Sequence, residues 1–262
     1  MISSDNFAAG GLGRPAMVTN GSGAASIILV CEHASNFIPE QFDGLGLSEE
    51  VQTSHVAWDP GAMAVSRRLS VLLDAPLVSS RISRLVYDCN RPPSAPGAMP
   101  IKSEIYDIPG NENLNETART DRVQRYYDPF RTTLADTINK TQNPILVTIH
   151  SFTPNYLGQH RAVEIGVLHD SDTRLADQML ASAANHTDMV VLRNAPYGPK
   201  DGVTHTLKEH ATGAGIFNVM LEIRNDLIST AQQQDDIAQM LASWLKTALD
   251  GLGVSWAEKD MA

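Results

Sequence analysis

Short apolar runs alternate with segments of helical periodicity along this chain. Buried strands are predicted at 27–30, 76–80, 84–88, 144–149, 163–168, 189–192 and 217–223. The clearest helix follows the last strand, where Ile237, Leu241, Trp244 and Leu245 repeat close to the helical period. Strands that alternate with helices favour an α/β fold, here a three-layer, mostly parallel mixed sheet with helices on both faces.

The segments between these strands contain two further helices and one long loop. Apolar residues at helical spacing follow Asp59-Pro60 and predict a helix over 61–73. The stretch 115–141 predicts a helix with a break near Pro129. Many Pro, Gly and Ser residues between 93 and 110 predict a long loop, and loops of that length are often functional.

The length and composition predict one domain in a reducing compartment. A length of 262 residues fits a single α/β domain. We expect a flexible tail over 1–25, which is rich in Gly, Ala, Ser and Asn, and one domain over 26–262. The start lacks a signal-peptide pattern, and no apolar run reaches the roughly 20 residues that span a bilayer. Only two cysteines, Cys31 and Cys89, are present, so we expect a cytoplasmic protein.

The net charge of the chain limits the classes of molecule that it can bind. A formal net charge of -10 argues against nucleic-acid binding, which needs a basic surface. A few arginines can still form a local positive pocket in an acidic protein. We therefore expect a small-molecule partner, with neither nucleic acid nor membrane, and the sequence does not indicate the oligomeric state.

Polar side chains follow several predicted strands at the point where each strand ends. In open α/β sheets, ligands bind beyond the carboxyl ends of the strands. The candidates are Glu32, His33, Asp88, Asn90, Arg91, His150, Ser151, Glu222 and Arg224.

Two of these residues favour a metal site. His33 and His150 each follow a strongly apolar strand, and a catalytic zinc usually has three protein ligands. The third ligand stays open among His55, Asp59 and Glu32. Asp59 is equally well placed to cap the helix that follows Pro60.

The other candidates favour acid–base chemistry and carboxylate binding. A carboxylate in the apolar strand around Glu222 needs a partner, and near a metal it would act as general base; an ion pair with Arg224 is the alternative. Arg84 and Arg91 could bind a carboxylate or stabilise an oxyanion, although Arg91 could instead pair with Asp88.

A covalent hydrolase is a rival reading of the same residues. Ser151 or Cys31 would be its nucleophile. Ser151 lacks the Gly-x-Ser-x-Gly elbow of such enzymes. His150 is also badly placed as its base, because adjacent strand residues point to opposite faces.

Five motifs in order carry a resemblance to a known family. They are CEHASNFIP at 31–39, HVAWDPG at 55–61, SRLVYDCNRPP at 83–93, IHSFTP at 149–154 and LEIRNDL at 221–227. With them the chain resembles the N-formylglutamate amidohydrolase family over about residues 27–250. That family looks like a relative of zinc carboxypeptidases and aspartoacylases, which implies a zinc-carboxypeptidase-like fold.

The resemblance implies a role for each site residue. The expected reaction is zinc-dependent hydrolysis of the amide bond of an N-formyl, or other short N-acyl, amino acid such as N-formylglutamate, with release of formate and the amino acid. The implied roles are zinc binding by His33, Asp59 and His150, acid–base catalysis by Glu222, carbonyl polarisation by Arg84 (with Arg81 close enough to compete), carboxylate binding by Asn90 and Arg91, and substrate contact by His210.

One position departs from the carboxypeptidase pattern. Those enzymes have a glutamate ligand three residues after the first histidine, and Asn36 stands there in this chain. The third ligand must therefore come from elsewhere, and we expect Asp59. The same departure keeps open a non-catalytic carboxylate-binding protein.

Overall fold

The computed structural model describes residues 14–257. The strands are β1 (Ala16–Thr19), β2 (Ile27–Cys31), β3 (Leu77–Ser80), β4 (Lys102–Ser103), β5 (Tyr106–Asp107), β6 (Ile145–Phe152), β7 (Asn155–Tyr156), β8 (Gln159–His160), β9 (Ile165–Leu168), β10 (Val191–Arg193) and β11 (Phe217–Arg224). The α-helices are α1 (Glu49–Thr53), α2 (Ala62–Leu73), α3 (Glu116–Arg122), α4 (Asp128–Lys140), α5 (Arg174–Ser182), α6 (His205–His210) and α7 (Ala231–Gly251).

One seven-stranded mixed sheet forms the centre of the fold. Its strand order is β1-β3-β2-β6-β11-β9-β10. The four neighbouring strands β3, β2, β6 and β11 are parallel, whereas β1 and β9 run antiparallel to their partners β3 and β11. The four parallel strands therefore end at the same edge of the sheet, and this carboxyl edge is where the polar strand-end residues meet.

Both faces of the sheet are covered, as the unbroken apolar runs predict. On one face, Ile27 and Leu29 pack in a core that includes residues of α2, α5 and α7. On the other face, Ile28 and Val30 pack in a core with Phe130 of α4 and with the segments around residues 82–108. The prediction of a mixed, mostly parallel α/β sheet is confirmed, and its likeness to zinc carboxypeptidases stays a prediction.

The predicted tail over 1–25 is wrong for part of its length. Residues 1–13 lie outside the described residues, but β1 pairs with β3 from Ala16↔Ser80 to Thr19↔Leu77. Backbone pairing orders this edge strand despite its weak apolar pattern, which is why composition alone misassigned it. The single domain over 26–262 stays a prediction.

The predicted strand at 84–88 is also wrong. Residues 84–86 form a turn and the residues around them are irregular, with the Val86 amide bonded to the Ser83 carbonyl at 3.0 Å. Leu85 is buried as expected, but it lies in a packed turn. The prediction failed because a short apolar run does not distinguish a strand from another buried segment.

The predicted loop and the predicted long helix are each modified. The loop at 93–110 contains the small hairpin β4–β5. Helices α3 and α4 are joined by a π-helical turn over Val123–Tyr127, just before Pro129. Between residues 14 and 257, no helix is long and apolar enough to cross a membrane.

Candidate active site

Three buried side chains converge at the carboxyl edge of the sheet. His150 Nδ1 lies 3.2 Å from His33 Nδ1 and 2.9 Å from Asp59 Oδ2, and His33 Nδ1 lies 3.3 Å from the same oxygen. Two imidazole nitrogens and a carboxylate oxygen at these separations form a donor set typical of zinc and other divalent metals.

The backbone places the carboxylate of this trio. His33 follows β2, and His150 lies near the end of the neighbouring strand β6. The turn before α2 brings in Asp59, whose amide donates to the His33 carbonyl at 3.0 Å. The Ser151 amide also donates to Asp59 Oδ2 at 3.2 Å. Asp59 is therefore hydrogen-bonded both to β6 and to the residue His33 that follows β2.

The other two candidates for the third ligand have different partners. His55 Nε2 lies 2.9 Å from Glu104 Oε1 of the β4–β5 hairpin. Glu32 faces the opposite nitrogen of His150, with Oε2 at 3.1 Å from Nε2. Among the described residues, the trio that brings ligand atoms together therefore contains Asp59, as expected.

A second carboxylate stands behind each histidine. His33 Nε2 lies 2.7 Å from Asp88 Oδ1, and His150 Nε2 faces Glu32. A carboxylate on Nε2 favours the tautomer that leaves the Nδ1 lone pair free, and it also holds the ring in place. Both histidines are thereby prepared to bind a metal through Nδ1.

The charge balance of the site fits a divalent cation. The carboxylates of Glu32, Asp59, Asp88 and Glu222 are all buried, and Arg84 is the cation in contact with two of them. Buried negative charge is costly unless a cation compensates it. A divalent metal beside neutral imidazoles would reduce this excess.

The pKa of His150 reflects the same excess of buried negative charge. Burial by itself lowers the pKa of His150, but the charges of Glu32 and Asp59 outweigh burial and raise this pKa well above 6.5. A field that stabilises a proton on an imidazole nitrogen also stabilises a metal cation at that nitrogen. The trio is therefore electrostatically suited to a cation.

Glu32 and Asp88 give a prediction about metal affinity. Because each carboxylate orients one histidine, Glu32→Gln or Asp88→Asn should raise the dissociation constant for zinc by about 10- to 100-fold. Competition with a chromophoric chelator would measure this change. Asp121→Asn, at a surface ion pair with Arg125, is the matched control. Unchanged affinity in the two site variants would contradict the assignment.

Glu222 lies beside His150 on the neighbouring parallel strand. Both residues line a cavity of about 360 Å³. Burial raises the pKa of Glu222 to about 7, and its Oε2 has no hydrogen-bond partner among the described residues. Arg224 pairs instead with Glu164 and Asp226, so the alternative pairing of Arg224 with Glu222 does not form. A carboxyl that exchanges a proton near neutral pH is suited to acid–base work.

Arg84 lines the same cavity. Its Nη1 donates to Asp59 Oδ1 at 3.4 Å and its Nη2 to Asp88 Oδ2 at 3.0 Å. Arg81, the competing arginine, is outside the residues that line the cavity and donates to the Arg14 carbonyl. The geometry thus favours Arg84 for any contact with a bound molecule.

Asn90 and Arg91 both line the cavity, but they are held differently. The Asn90 side-chain amide joins the loop before α6 to the first turn of that helix, with Nδ2 donating to the Val203 carbonyl at 2.5 Å and Oδ1 accepting from the Thr206 amide at 2.9 Å. Arg91 Nη1 donates to the Asp201 carbonyl at 2.6 Å. Gly202 has a φ of +71°, and a Cβ added to it would lie 2.5 Å from that nitrogen. A larger residue at position 202 would therefore be strained and would displace the Arg91 guanidinium. Of the two residues, Arg91 keeps more donors free.

His210 ends α6 and is outside the residues that line the cavity. Its role as a substrate contact stays a prediction without geometric support. Burial lowers the pKa of His210 from 6.5 to about 4, so the unfolded chain binds this proton more readily. Between those two pH values the free energy of unfolding should therefore fall as the pH decreases.

Removal of His210 should weaken this acid sensitivity. In His210→Gln the fall in unfolding free energy between pH 6.5 and about 4 should be smaller, by a difference on the order of 1–2 kcal/mol. Urea unfolding at neutral and at acidic pH would measure it, with the exposed His160→Gln as control. Equal pH dependence in wild type and His210→Gln would contradict the expectation.

Sequence reasoning missed several residues of the cavity. The aromatic rings of Phe152, Tyr156 and Tyr197 line it, as does Glu104. His55, which was considered only as a metal ligand, lines it as the partner of Glu104. Two sequence signals pointed to this region: the motif at 149–154, which contains Phe152, and the predicted functional loop at 93–110, which supplies Glu104. Nothing in the local pattern marks the three rings as neighbours, because Tyr197 comes from a distant segment.

The fold and the cavity place this chain among α/β proteins that carry their functional residues at the carboxyl edge of a mostly parallel sheet. A family model described as N-formylglutamate amidohydrolase matches residues 25–229. The chain belongs to the N-formylglutamate amidohydrolase family, which confirms the resemblance of its motifs.

Two solved structures are similar to this chain. Gene product Atu2144 from Agrobacterium tumefaciens has 52% sequence identity and a TM-score of 0.90, over 92% of this chain and 97% of that chain. N-formylglutamate amidohydrolase from Ralstonia eutropha JMP134 has 18% identity and a TM-score of 0.62, over 90% of this chain and 99% of that chain. The second likeness concerns the fold alone. No curated protein matched the sequence.

Proposed function

We propose that the protein is a metal-dependent amidohydrolase that hydrolyses the amide bond of an N-formyl, or other short N-acyl, amino acid. The observation that carries this proposal is the convergence of His33, Asp59 and His150 in one cavity with the protonatable carboxyl of Glu222. Family membership supports an amide as the bond that is cleaved.

The metal would be held by His33, Asp59 and His150. When bound there, zinc or a similar divalent ion would supply Lewis acidity that lowers the pKa of water and polarises a carbonyl. Zinc is the metal that we propose, because this donor set is common in catalytic zinc sites.

Glu222 would move the protons of the reaction. Its carboxylate form accepts a proton from the attacking water, and its acid form then donates that proton to the departing nitrogen. A pKa of about 7 allows both states near neutral pH.

Two arginines would orient the substrate. Arg84, held between Asp59 and Asp88, is suited to stabilise negative charge that develops on the carbonyl oxygen. Arg91 is suited to bind the carboxylate of the amino acid through its free donors. Asn90 would act indirectly in this scheme, by holding the loop against which Arg91 packs.

The covalent alternative has weaker geometric support. The Ser151 hydroxyl donates to the Pro60 carbonyl at 2.8 Å, so it is engaged with backbone. Burial raises the pKa of Cys31 well above its ordinary value, and the charges of Asp59 and Glu32 raise it further. Neither group is prepared as a nucleophile.

The departure at Asn36 does not leave the metal trio incomplete. Its side chain donates to the Gln52 carbonyl at 3.1 Å, so it has a local structural role, and Asp59 supplies the carboxylate of the trio. Asn36 was the feature that suggested a non-catalytic binding protein, and its structural role removes that support.

Formate release from N-formyl amino acids tests the proposal. We expect metal-free protein to be inactive and zinc to restore turnover of N-formyl amino acids, including N-formylglutamate, at about one ion per chain. Free amine and formate should appear in equal amounts. Binding of zinc without release of formate from any N-formyl amino acid, or of acetate from any N-acetyl amino acid, would overturn the proposed reaction.

A further inference from the structure

One side of the cavity is formed by three aromatic rings, two from the segment 152–156 and one from the distant segment after β10. Phe152 ends β6, Tyr156 belongs to the β7–β8 hairpin, and Tyr197 follows β10. All three side chains line the cavity. We call these three residues the aromatic wall. Nothing in the proposed chemistry of Glu222 and the metal trio requires it.

Arg161 holds the aromatic wall together. Its guanidinium carbon lies 5.6 Å from the Phe152 ring centroid, 4.4 Å from that of Tyr156 and 4.8 Å from that of Tyr197. A cation shared by three rings attracts all of them and fixes their relative positions. Arg161 is itself outside the residues that line the cavity, so it acts from behind the wall.

The backbone of Arg161 is also fixed. Its amide donates to the Pro154 carbonyl at 2.8 Å, and its carbonyl accepts from Arg224 Nη1 at 3.3 Å. Because Arg161 is tied to the end of β6 and to β11, the rings form a preorganised surface. A preorganised surface binds ligand with less loss of conformational entropy.

The cations that line the cavity are mostly compensated. Arg84 is held by Asp59 and Asp88, and the exposed Lys102 lies 3.6 Å from Asp107. Arg91 has the weakest compensation, with Nε 3.9 Å from an Asp88 oxygen. Of the two arginines that line the cavity, Arg91 is therefore the one available to bind a carboxylate of the substrate.

We propose that the aromatic wall is a specificity subsite that binds an apolar or aromatic side chain of the substrate. This inference rests on the proposed function and narrows it to N-acyl amino acids with one carboxylate, held by Arg91, and an apolar side chain, packed on Phe152, Tyr156 and Tyr197. Apolar side chains gain by leaving water for such a surface, whereas a second carboxylate loses hydration there.

A comparison of two substrates tests the side-chain preference. We expect kcat/KM for N-formylphenylalanine to exceed that for N-formylglutamate by about tenfold or more. Calorimetric titration of the same two compounds into zinc-loaded Glu222→Gln protein measures the preference in binding, independently of turnover. Equal or tighter binding of N-formylglutamate would overturn the inference.

Variants of Arg161 test how the wall is organised. Arg161→Met keeps the aliphatic stem but removes the cation, so we expect the KM for N-formylphenylalanine to rise about tenfold with little change in kcat or zinc content. Arg161→Lys, which restores the charge without the planar group, should recover part of the loss. The matched control is Arg174→Met, since Arg174 stacks 4.0 Å from the Phe217 ring and is not among the cavity residues.

The outcomes separate this inference from the proposed function. If the protein hydrolyses no member of the N-formyl and N-acetyl series, the proposed function fails, while titration of the two compounds into the zinc-loaded protein still decides the side-chain preference. If Arg161→Met lowers kcat/KM equally for both compounds, or behaves as Arg174→Met does, the wall is not a specificity subsite. A selective rise in KM for N-formylphenylalanine supports it.

Discussion

Glu222→Gln should lower the rate of N-formyl amino acid hydrolysis by about 10²- to 10⁴-fold, because the amide side chain cannot accept or donate the proton that the reaction transfers. The substitution keeps the size and shape of the side chain. Bound zinc should stay at the wild-type level, since Glu222 is outside the trio of ligand atoms. Single-turnover formate release and elemental analysis of the same sample would measure the two quantities.

The role of Glu222 in proton transfer also predicts how the wild-type rate depends on pH. Burial raises the pKa of Glu222 to about 7, so the base form predominates above that pH and the rate should fall as the pH decreases below it. Glu116→Gln, at the exposed start of α3, is the control and should retain full activity. Hydrolysis by Glu222→Gln within a few-fold of the wild type would refute its role in proton transfer.

The largest expected effect on metal binding follows from the loss of both histidines. A His33→Ala/His150→Ala double variant should fall from about one zinc per chain to almost none, because a single carboxylate ligand cannot hold zinc at micromolar concentrations. Elemental analysis after gel filtration would measure this loss. Hydrolysis should disappear with the metal.

Folding and metal loss must be separated in this experiment. Circular dichroism checks the fold of the double variant, and Asp59→Asn provides a nearly isosteric second test of the same site. Zinc should raise the melting temperature of the wild-type protein, because a ligand that binds only the folded state stabilises it, and it should not raise that of the double variant. His160→Ala, an exposed histidine, should behave as wild type. Full zinc content in the double variant would refute the site.

Hydrophobic periodicity and the polar residues at strand ends predict much of this fold from the sequence. Parallel strands bring their carboxyl ends to one edge, so residues after separate apolar runs, such as His33, His150 and Glu222, could be expected to meet. The helical spacing of apolar residues likewise predicted helices α2 and α7. These features depend on local patterns of side chains that repeat along one element, and a sequence displays such patterns directly.

Local patterns were weaker where packing or pairing decided the outcome. The run at 84–88 is apolar enough for a strand, yet it folds as a buried turn that aims Arg84 and Asp88 at the cavity. Conversely, β1 has a weak pattern and becomes a strand through its pairing with β3. Backbone hydrogen bonds to distant segments determined both results, and no local propensity reports them.

By itself, the sequence determined the α/β alternation, the family motifs and the two histidines of the candidate metal site. Only the tertiary structure decided that Asp59, and not His55 or Glu32, completes the trio, because this choice depends on a turn whose amide bonds to the His33 carbonyl. The structure alone also brought Tyr197 to the segment 152–161 and so completed the aromatic wall around Arg161. Both contacts join segments that are far apart in the chain, and their geometry is set by the packing of the whole sheet.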